Sequence, residues 1–377
     1  MCRALRQRGL DLTVATTSHE LGDDLSNGHK DRQHGNASPE LHSGTQEFGG
    51  VPTHFFPVQW GDSFKYSRPL ATWLNAHVCD FDVVHIHAVF NHACVAAARA
   101  CRRQQVPYVI RPLGTLDPWS MNQKPVRKRF FWALAGRKML RMASAVHYTA
   151  EAERTATEQL LGLDKGKVIP LGVESSAPVD VASSGAIVGT NRPYVLVLSR
   201  IHAKKGLEVL IEAFLELREE AVYSDWQLVI AGDGEPAYVE SLKQEVTKRR
   251  ANEAVVFRGW IEGEQKHAIL QNASLLALPS HQENFGLCVF EALMEGVPVL
   301  ISPQVNLAED IVQANAGWIC AVDVTSLATC LKGALANEEE RVKRGSAGKK
   351  FAEKYEWSKI AKQLETMYQS VVETSRR

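Results

Sequence analysis

The chain has 377 residues, too many for one ordinary hydrophobic core, and this length predicts two domains. Hydrophobic residues make up 45% of it and charged residues 23%, as in globular proteins rather than disordered ones. Lys plus Arg and Asp plus Glu both number 43, so the formal net charge of zero argues against nucleic acid as a partner.

The sequence also bears on the compartment. No apolar run approaches the roughly 20 residues that a membrane-spanning helix needs, and residues 1–6 lack the apolar stretch of a signal peptide. The seven cysteines are scattered and include no C-x-x-C pair, so a disulfide framework is not expected. These features predict a cytoplasmic protein.

Short apolar runs alternate with amphipathic stretches, which predicts open parallel sheets with helical crossovers. In chain order, the predicted strands are 12–17, 53–58, 83–88, 108–111, 145–149, 168–171, 194–199, 227–231, 255–259, 275–278, 297–302 and 318–322. Two sets of about six strands predict two Rossmann-like domains.

A small, polar stretch near the middle of the chain predicts the boundary between these domains. The predicted ranges are 1–173 for the N-terminal domain, 174–192 for the linker, 193–358 for the C-terminal domain and 359–377 for a final helix. The final helix has one apolar face, which contains Ile360, Leu364, Met367 and Val371. We expect this face to pack back on the first domain.

The start of the chain departs from the doubly wound pattern. Residues 1–8 are typical of the end of an amphipathic helix, with Gly9 as its stop, but no strand and Gly-rich turn come before it. We therefore expect a gapped or rearranged N-terminal sheet, an unstable first domain, an intact second domain and weak or absent activity. An upstream strand and turn should restore both stability and activity, and a start codon assigned too late is the simplest cause. Residues 22–50 are polar and predict a mobile loop.

The segment richest in chemical signals follows the predicted strand 275–278. Glu283 lies in the loop at the carboxyl end of that strand, while Gly286 and Leu287 lie at the start of the next helix, whose free N–H groups favour a diphosphate. Glu291, within the first turns, is placed to accept hydrogen bonds from ribose hydroxyls. The alternative is that both glutamates are ordinary surface charges, since a pair at this spacing alone is a weak signal.

Two cations and a glycine turn extend this pattern. Arg200 and Lys205 follow the predicted strand 194–199, at the edge where open α/β sheets bind ligands. There they would neutralise a diphosphate and stabilise it as a leaving group, although either one alone would more often be a solvated charge. The strand 227–231 ends in Gly232-Asp233-Gly234, a turn compact enough to let a ligand approach the backbone.

In this order, the residues resemble the glycosyltransferases of family 4, strongly over 194–302 and by general layout elsewhere. The matching elements are Arg200 with Lys205-Gly206, Gly232-Asp233-Gly234, Phe257-Arg258-Gly259-Trp260, Glu283-Asn284-Phe285-Gly286 with Glu291, and Gly296-Val297-Pro298. The resemblance implies the GT-B fold, in which two Rossmann-like domains have parallel sheets facing across a cleft.

The resemblance also implies roles for individual residues. Arg200 and Lys205 would bind the diphosphate of a sugar nucleotide, Glu283 would contact the sugar, and these three form the expected catalytic set. The other expected donor-binding residues are Gly232, Arg258, Phe285, Gly286, Leu287 and Glu291. Retention of the anomeric configuration, no cofactor and no metal are implied as well, and the leaving phosphate is the candidate base.

Residues 110–119 resemble a branch of the same family more loosely. Many relatives carry a histidine near Arg111, and this chain does not, so no catalytic histidine is assigned. His87 and Arg111 are the acceptor-side candidates. His85, His87 and His92 form an H-x-H-x-x-x-x-H pattern for which three roles stay open: ordinary structure, acceptor contact or metal binding.

The basic stretch 124–141 has two interpretations. It contains Lys124, Arg127, Lys128, Arg129, Arg137, Lys138 and Arg141, and no acidic residue occurs in 119–150. With Phe130, Phe131 and Trp132, the stretch suits an anionic membrane surface, where each basic residue contributes ~1 kcal/mol. Alternatively, it is a solvated helix face whose aromatic side chains lie in the core.

The sequence thus predicts a hexosyltransferase-type glycosyltransferase of polysaccharide biosynthesis. It would move a sugar from an NDP-sugar to a hydroxyl acceptor on a glycan or a lipid-linked saccharide, in the cytoplasm or peripherally on the inner membrane face. One alternative is a sugar-nucleotide epimerase of the same fold, which needs no acceptor. Another is an inactive scaffold that only binds the nucleotide.

Overall fold

The apolar runs become the strands of three sheets among the described residues of the computed structural model. In chain order, the strands are β1 (Val14–Thr17), β2 (Gly44–Phe48), β3 (Val51–Phe56), β4 (Val84–His87), β5 (Tyr108–Arg111), β6 (Ala145–Tyr148), β7 (Gly166–Val168), β8 (Tyr194–Leu198), β9 (Gln227–Ala231), β10 (Val255–Gly259), β11 (Leu275–Leu278), β12 (Val299–Ile301) and β13 (Gly317–Ile319). The structure describes residues 1–18, 44–61, 64–122, 125–162, 164–174 and 192–376. Lys124, residues 22–43 of the expected loop and residues 175–191 of the expected linker lie outside these ranges.

Helices connect most of the strands. In chain order, they are α1 (Cys2–Gln7), α2 (Arg68–His77), α3 (His92–Gln104), α4 (Pro118–Asn122), α5 (Pro125–Phe131), α6 (Arg137–Met142), α7 (Glu151–Leu161), α8 (Leu207–Leu217), α9 (Pro236–Lys248), α10 (Gly263–Gln271), α11 (Leu287–Met294), α12 (Ala308–Gln313), α13 (Val324–Ala336), α14 (Glu338–Ala352) and α15 (Trp357–Arg376). In the described part of the chain, none of them combines the length and the apolar character needed to cross a membrane.

The chain divides into two units, one of residues 1–170 with 360–377 and one of residues 171–359. The final helix α15 therefore belongs to the first unit from Ile360 onward. Its apolar face is buried, with Ile360 and Leu364 each 1% exposed. The expectation that this helix returns to the first domain is confirmed.

The second unit is built on one continuous sheet. Its six strands are all parallel and follow the order β10-β9-β8-β11-β12-β13. Apolar side chains cover both faces, because successive strand residues point to opposite sides: Val195 lies in one core cluster with α8, and Leu196 lies in the other with α11. The strand order reverses between β8 and β11, so the loops after these two strands flank the switch point.

The strands of the first unit form two separate sheets among the described residues. One has the order β1-β3-β2 and the other the order β4-β5-β6-β7. Among these residues β1 and β4 are both edge strands, and a gap left by a missing strand stays a prediction. The prediction of a mobile loop over residues 22–50 is wrong for Gly44–Phe48, because these residues form β2, which pairs antiparallel with β3.

Two histidines link α15 to the sheet of the first unit. The Tyr368 hydroxyl lies 2.7 Å from Nδ1 of His85, and Nε2 of His85 lies 3.3 Å from Nδ1 of His147. Nε2 of His147 lies 2.7 Å from the carbonyl oxygen of Ile169, which can only accept a hydrogen bond. His147 therefore carries its proton on Nε2 and accepts at Nδ1 from His85, which in turn accepts from the Tyr368 hydroxyl. Every hydrogen bond of this chain can thus form while both imidazole rings are neutral.

Burial and a neighbouring cation keep these rings neutral. Burial, with the charge of Arg111, lowers the pKa of His87 and that of His147 to about 3. Burial also lowers the pKa of His85 well below its usual range, and the charges of His87, His147 and Arg111 add to this effect. The folded first unit therefore resists protonation at a cluster that the unfolded chain protonates freely.

We expect the first unit to lose stability as the pH falls from 6.5 towards 3. The unfolded state binds more protons across this window, so each histidine with a folded pKa about 3 costs about 2 kcal/mol at pH 5, and the stability is fully present above pH 6.5. Urea unfolding at pH 5, 6 and 7 measures the slope. His147→Asn should flatten it, while a change of the exposed His281 to Asn should not. Equal slopes in the native protein and His147→Asn would contradict this assignment.

Candidate functional site

Backbone hydrogen bonds join the loops at the carboxyl ends of β8 to β12. The bonds run from Gly232 N to Gly259 O (2.7 Å), from Ile201 N to Asp233 O (2.8 Å), from His281 N to Lys204 O (2.7 Å) and from Glu283 N to Gln304 O (3.1 Å). Each bond connects loops that follow neighbouring strands of the sheet. We call this continuous edge, residues 199–206, 232–234, 259, 280–286 and 302–306, the strand-end rim.

The close packing of loops in the rim explains why the turn after β9 contains two glycines. Gly232 has φ +141°, and a Cβ added to it would lie 1.9 Å from the carbonyl oxygen of Ser199. A Cβ on Gly234 would lie 2.0 Å from the carbonyl oxygen of Ile201. The close approach expected for a ligand is thus made by the backbone after β8, and a donor contact of Gly232 stays a prediction.

Lys205 and Glu283 meet at the centre of the rim as a buried ion pair. Nζ of Lys205 donates to Oε2 of Glu283, and the two side chains are 8% and 16% exposed. Lys205 ends a single turn, Ala203–Lys205, after which Gly206 begins α8 with φ +66°. Glu283 is held by the loop after β12, since Asn306 N donates to its carbonyl oxygen at 3.0 Å.

The charge state of the pair is fixed by its surroundings. Burial alone would raise the pKa of the Glu283 carboxyl. The charges of Lys205 and Lys204, with hydrogen bonds from Lys205 and the Asn284 backbone, outweigh that effect and lower this pKa below its usual range. Glu283 is therefore an ionised carboxylate that is shielded from water.

The helix α11 begins directly beside this pair. Gly286 has φ +68° and is the N-cap residue, and no side chain caps the helix. Cys288, in the first turn, lies within the field of Lys205, Glu283 and Glu291, although burial is the main cause that raises the pKa of its thiol to about 12. The first N–H groups of α11 therefore lie in one region with the ammonium of Lys205, a combination that suits an anion, and with two carboxylates that can accept hydrogen bonds from the hydroxyl groups of a ligand.

This region coincides with the topological switch point of the sheet. Lys205 follows β8 and Glu283 follows β11, the two strands between which the order reverses. Open α/β sheets bind ligands in the crevice outside the strand ends at such a point. The sequence predicted this convergence from the motifs alone.

The remaining donor-side candidates differ in what they offer. Arg200 is exposed next to Ile201, Arg258 is half-buried at an irregularity of β10, and Leu287 is 43% exposed. The side chain of Phe285 is 3% exposed and stacks on Phe290 in the core, with ring centroids 4.8 Å apart. Any donor contact of Phe285 would therefore come from its backbone.

Glu291 has a partner that the sequence analysis missed. Nζ of Lys266, on α10, donates to Oε1 of Glu291 at 2.7 Å, and both side chains are about one-third exposed or less. Lys266 belongs to no motif and sits on a different helix, so only the packing of α10 against α11 brings it there. It orients the carboxylate that was expected to bind a ribose.

The acceptor-side candidates lie together in the first unit. Nη2 of Arg111 donates to Nδ1 of His87 at 2.7 Å, at the carboxyl ends of β5 and β4. His92 is separate from them, because its Nδ1 accepts from Ser67 N at 3.2 Å. Among the described residues, no group of three His, Cys, Asp or Glu side chains is arranged to hold a metal ion.

A buried carboxylate fixes the loop after β5. Glu153 is 1% exposed and accepts from Gly114 N at 2.6 Å, from Thr149 N at 2.8 Å and from the Thr149 hydroxyl at 2.9 Å. It thereby ties the stretch 110–119 to the end of β6. In the sequence, Glu153 looked like any glutamate in the first turn of a helix, so no signal marked it.

Two family models match the chain. The model described as "Glycosyl transferases group 1" matches residues 186–351, and the model described as "Glycosyl transferase 4-like domain" matches residues 1–172. The first covers the whole strand-end rim, and the second covers His87 and Arg111. Together they span both units.

Curated proteins show the same similarity. An uncharacterized glycosyltransferase of Methanocaldococcus jannaschii is 31% identical over 48% of this chain and 45% of its own length, and glycogen synthase of Mycobacterium tuberculosis is 28% identical over 46% and 42%. The chain thus matches less than half the length of these relatives. Sulfoquinovosyl transferase of Arabidopsis thaliana is 28% identical over 94% of this chain and 66% of its own length.

Solved structures resemble the fold. Anabaena HepE in complex with UDP and glucose has a TM-score of 0.71 and 21% identity over 85% of this chain and 87% of that one. Sucrose-phosphate synthase from Thermosynechococcus elongatus has a TM-score of 0.72 and 18% identity over 96% and 99%. At these identities the likeness concerns the fold, which is GT-B as the sequence predicts.

Replacing Lys205 with Ala should destabilise the second unit by about 3 kcal/mol, because the buried carboxylate of Glu283 would lose its main partner. Arg200→Ala, at an exposed position of the same rim, is the control and should change stability little. Chemical denaturation with the tryptophan signal measures both free energies of unfolding. Equal stabilities of the two variants would mean that the ion pair does not hold the rim.

Proposed function

Because the chain belongs to the family 4 glycosyltransferases of GT-B fold, we propose that it transfers a hexose from an NDP-sugar to a hydroxyl group of an acceptor. The observation that carries this proposal is the buried Lys205–Glu283 pair beside the uncapped start of α11, at the switch point of the sheet. A diphosphate needs cations and free N–H groups in one place, and this region offers both.

The donor would bind along the strand-end rim. Its diphosphate would accept hydrogen bonds from the first N–H groups of α11 and lie near Lys205 and Arg200. Its ribose hydroxyls would donate to Glu291, whose carboxylate Lys266 holds at 2.7 Å. Glu283 would face the sugar, where an ionised carboxylate can accept from hydroxyl groups.

The transfer step needs charge stabilisation more than a protein base. The bond between the anomeric carbon and the β-phosphate oxygen breaks, the acceptor oxygen bonds to that carbon, and the acceptor proton passes to the leaving diphosphate. Lys205 and Arg200 would stabilise the negative charge that grows on the diphosphate. We propose retention of configuration, as the family resemblance implies, and transfer without metal or cofactor, since Lys205 and Arg200 would supply the charge that a metal would otherwise supply.

We further propose a lipid-linked saccharide or glycan as the acceptor, met at the cytoplasmic face of a membrane. Val126, Phe130 and Leu134 follow one another at four-residue intervals and are 78%, 68% and 66% exposed. Exposed arginines flank them at 127, 129 and 137. Phe131 instead packs in the core, 5.4 Å from Phe90 between ring centroids, so only part of the aromatic run belongs to this surface.

A donor screen with UDP-, GDP- and ADP-sugars tests the donor site. The cognate nucleotide should raise the apparent stability by about 2.7 kcal/mol at a hundredfold excess over its dissociation constant. Glu291→Gln should weaken binding about tenfold or more, since a hydrogen bond to a charged group is lost. Glu220→Gln, at an exposed ion pair with Lys332, is the matched control.

The products distinguish the alternatives. With donor alone, an epimerase would change the configuration of the sugar nucleotide, and a scaffold would bind it without turnover. A transferase should release the nucleoside diphosphate only with an acceptor or, slowly, with water. Stable binding with no turnover in the presence of acceptors would contradict the proposal.

Sedimentation with vesicles tests the membrane surface. Phe130→Glu should weaken binding to phosphatidylglycerol vesicles about tenfold or more, because it removes an apolar contact and adds repulsion. Val222→Glu, equally exposed but in the second unit, should leave the binding unchanged. The same affinity for both variants, or no preference for anionic over neutral vesicles, would exclude this surface.

A further inference from the structure

Two cysteines lie next to each other in the second unit. Cys320 directly follows β13, where its N–H donates to the carbonyl oxygen of Ile301 at 2.9 Å, and Cys330 lies in the middle of α13. Sγ of Cys330 lies 4.0 Å from the carbonyl oxygen of Ile319, whose peptide bond leads into Cys320. The two thiols also share a hydrogen bond, and both are free. We call Cys320 and Cys330 the dithiol.

The two sulfur atoms of the dithiol differ in their access to solvent. Cys320 is 3% exposed and lies in the core cluster that contains Leu327 and Leu331 of α13. Cys330 is half-buried and follows the exposed Thr329. A small oxidant therefore reaches Cys330 first, while Cys320 waits behind it. An accessible thiol beside a second thiol that can resolve it is the arrangement of a redox-sensitive cysteine pair.

The surroundings favour the thiolate on Cys330. The hydrogen bond from Cys320 lowers the pKa of Cys330 to about 7, although burial and the charge of Asp323 act in the opposite direction. The same hydrogen bond, together with burial, raises the pKa of Cys320. Burial alone raises the pKa of Cys94 and that of Cys288 to about 12 despite nearby hydrogen bonds. Because the thiolate is the nucleophile, Cys330 is the reactive member of the dithiol.

A bond between these sulfur atoms would fasten the edge of the six-stranded sheet. β13 has three residues and, in the described part of the chain, pairs with β12 alone, so it is a short edge strand that can open locally. Val322, two residues after Cys320, lies beside the turn that holds Lys205, since a Cβ added to Gly206 would lie 3.1 Å from its Cγ1. A link from Cys320 to α13 would therefore also restrain the segment next to that turn.

We propose that Cys320 and Cys330 form a reversible disulfide when the protein meets a peroxide, and that this disulfide fastens β13 to α13. The Cys330 thiolate attacks one oxygen of hydrogen peroxide, the O–O bond breaks, and a sulfenic acid forms with a hydroxide that takes up the proton released by Cys330. The Cys320 sulfur then attacks the Cys330 sulfur, the S–O bond breaks, and the departing hydroxide takes the Cys320 proton. Two electrons thus pass from sulfur to the peroxide, and two waters leave. An external dithiol reverses the reaction by exchange.

Counting thiols tests the site. The full chain is treated with a small excess of hydrogen peroxide, unfolded and alkylated, and its intact mass gives the number of labelled cysteines. That number should fall from seven by two and recover with dithiothreitol. Peptide mapping should place the bond between Cys320 and Cys330. Cys79→Ser, at an exposed position of the first unit, is the matched control and should lose the same two thiols, whereas Cys330→Ser should lose no pair.

The variant Cys320→Ala isolates the first step. It should accumulate a sulfenic acid on Cys330 that dimedone traps, while Cys330→Ser should give no such adduct on Cys320. An unchanged thiol count in the native chain, or an equal loss in Cys330→Ser, would overturn the proposal. A disulfide that joins two copies of the chain on a non-reducing gel would overturn it too.

Amide exchange tests the effect on the sheet. Oxidation should slow exchange at least tenfold in β13 and at the Cys320 amide, and it should leave β4 and β5 of the first unit unchanged. Equal exchange in β13 of the oxidised and reduced forms would contradict the fastening of this strand. None of these readouts requires transferase activity, so they test the dithiol independently of the proposed function.

Discussion

The ion pair between Lys205 and Glu283 is the interaction on which the donor side of the molecule depends. It joins the loops after β8 and β11, whose strands flank the reversal of strand order. Because both charges are largely withdrawn from water, removing either one leaves the other without its main partner and destabilises the fold. The backbone hydrogen bonds of the strand-end rim connect these two loops to the loops after β9, β10 and β12. A diphosphate would thus meet a preformed arrangement of charges and N–H groups.

The two units support their polar groups in different ways. In the second unit, an unbroken six-stranded sheet supports the rim, and its core clusters cover both faces. In the first unit, the described strands form two sheets, and a chain of hydrogen bonds through His85 and His147 ties α15 to β4 and β6. The acceptor-side candidates His87 and Arg111 lie against that cluster, so their geometry depends on rings that must stay neutral. The stability of the first unit is therefore linked to its chemistry.

Much of this could be predicted from the sequence, because buried parallel strands are nearly continuous apolar runs. The strands β8 to β12 and the apolar stripe of α8 were predicted for that reason. β7 has only one apolar residue in three and was placed at 168–171 instead of Gly166–Val168. β2, with Gly, Thr, Gln and Glu in its five residues, has no apolar pattern, and only pairing with β3 makes it a strand.

The site was predictable where residues follow strands and unpredictable where packing decides. Lys205, Glu283 and the start of α11 follow directly from strand-end motifs. Lys266 contacts the carboxylate of Glu291, and Glu153 contacts backbone N–H groups, only because of how their helices pack. No local sequence pattern predicts this packing. The glycines at 232 and 234 were predicted to let a ligand approach the backbone, whereas they make room for the backbone of Ser199 and Ile201. A close approach of two loops cannot be told from the approach of a ligand by the glycines alone.

The most direct test of the account is a calorimetric comparison of two variants, Glu283→Gln and Glu283→Gln combined with Lys205→Met. They differ only at position 205: in the first, the Gln amide oxygen can still accept a hydrogen bond from the Lys205 ammonium, and in the second, Met removes that ammonium. For each variant, the affinity is measured for a nucleoside diphosphate and for the corresponding monophosphate. If Lys205 acts on the diphosphate, removing its charge should weaken the binding of the nucleoside diphosphate about tenfold, or about 1.4 kcal/mol. The affinity for the monophosphate should stay unchanged. An equal change for both ligands, or no change for either, would contradict the central claim.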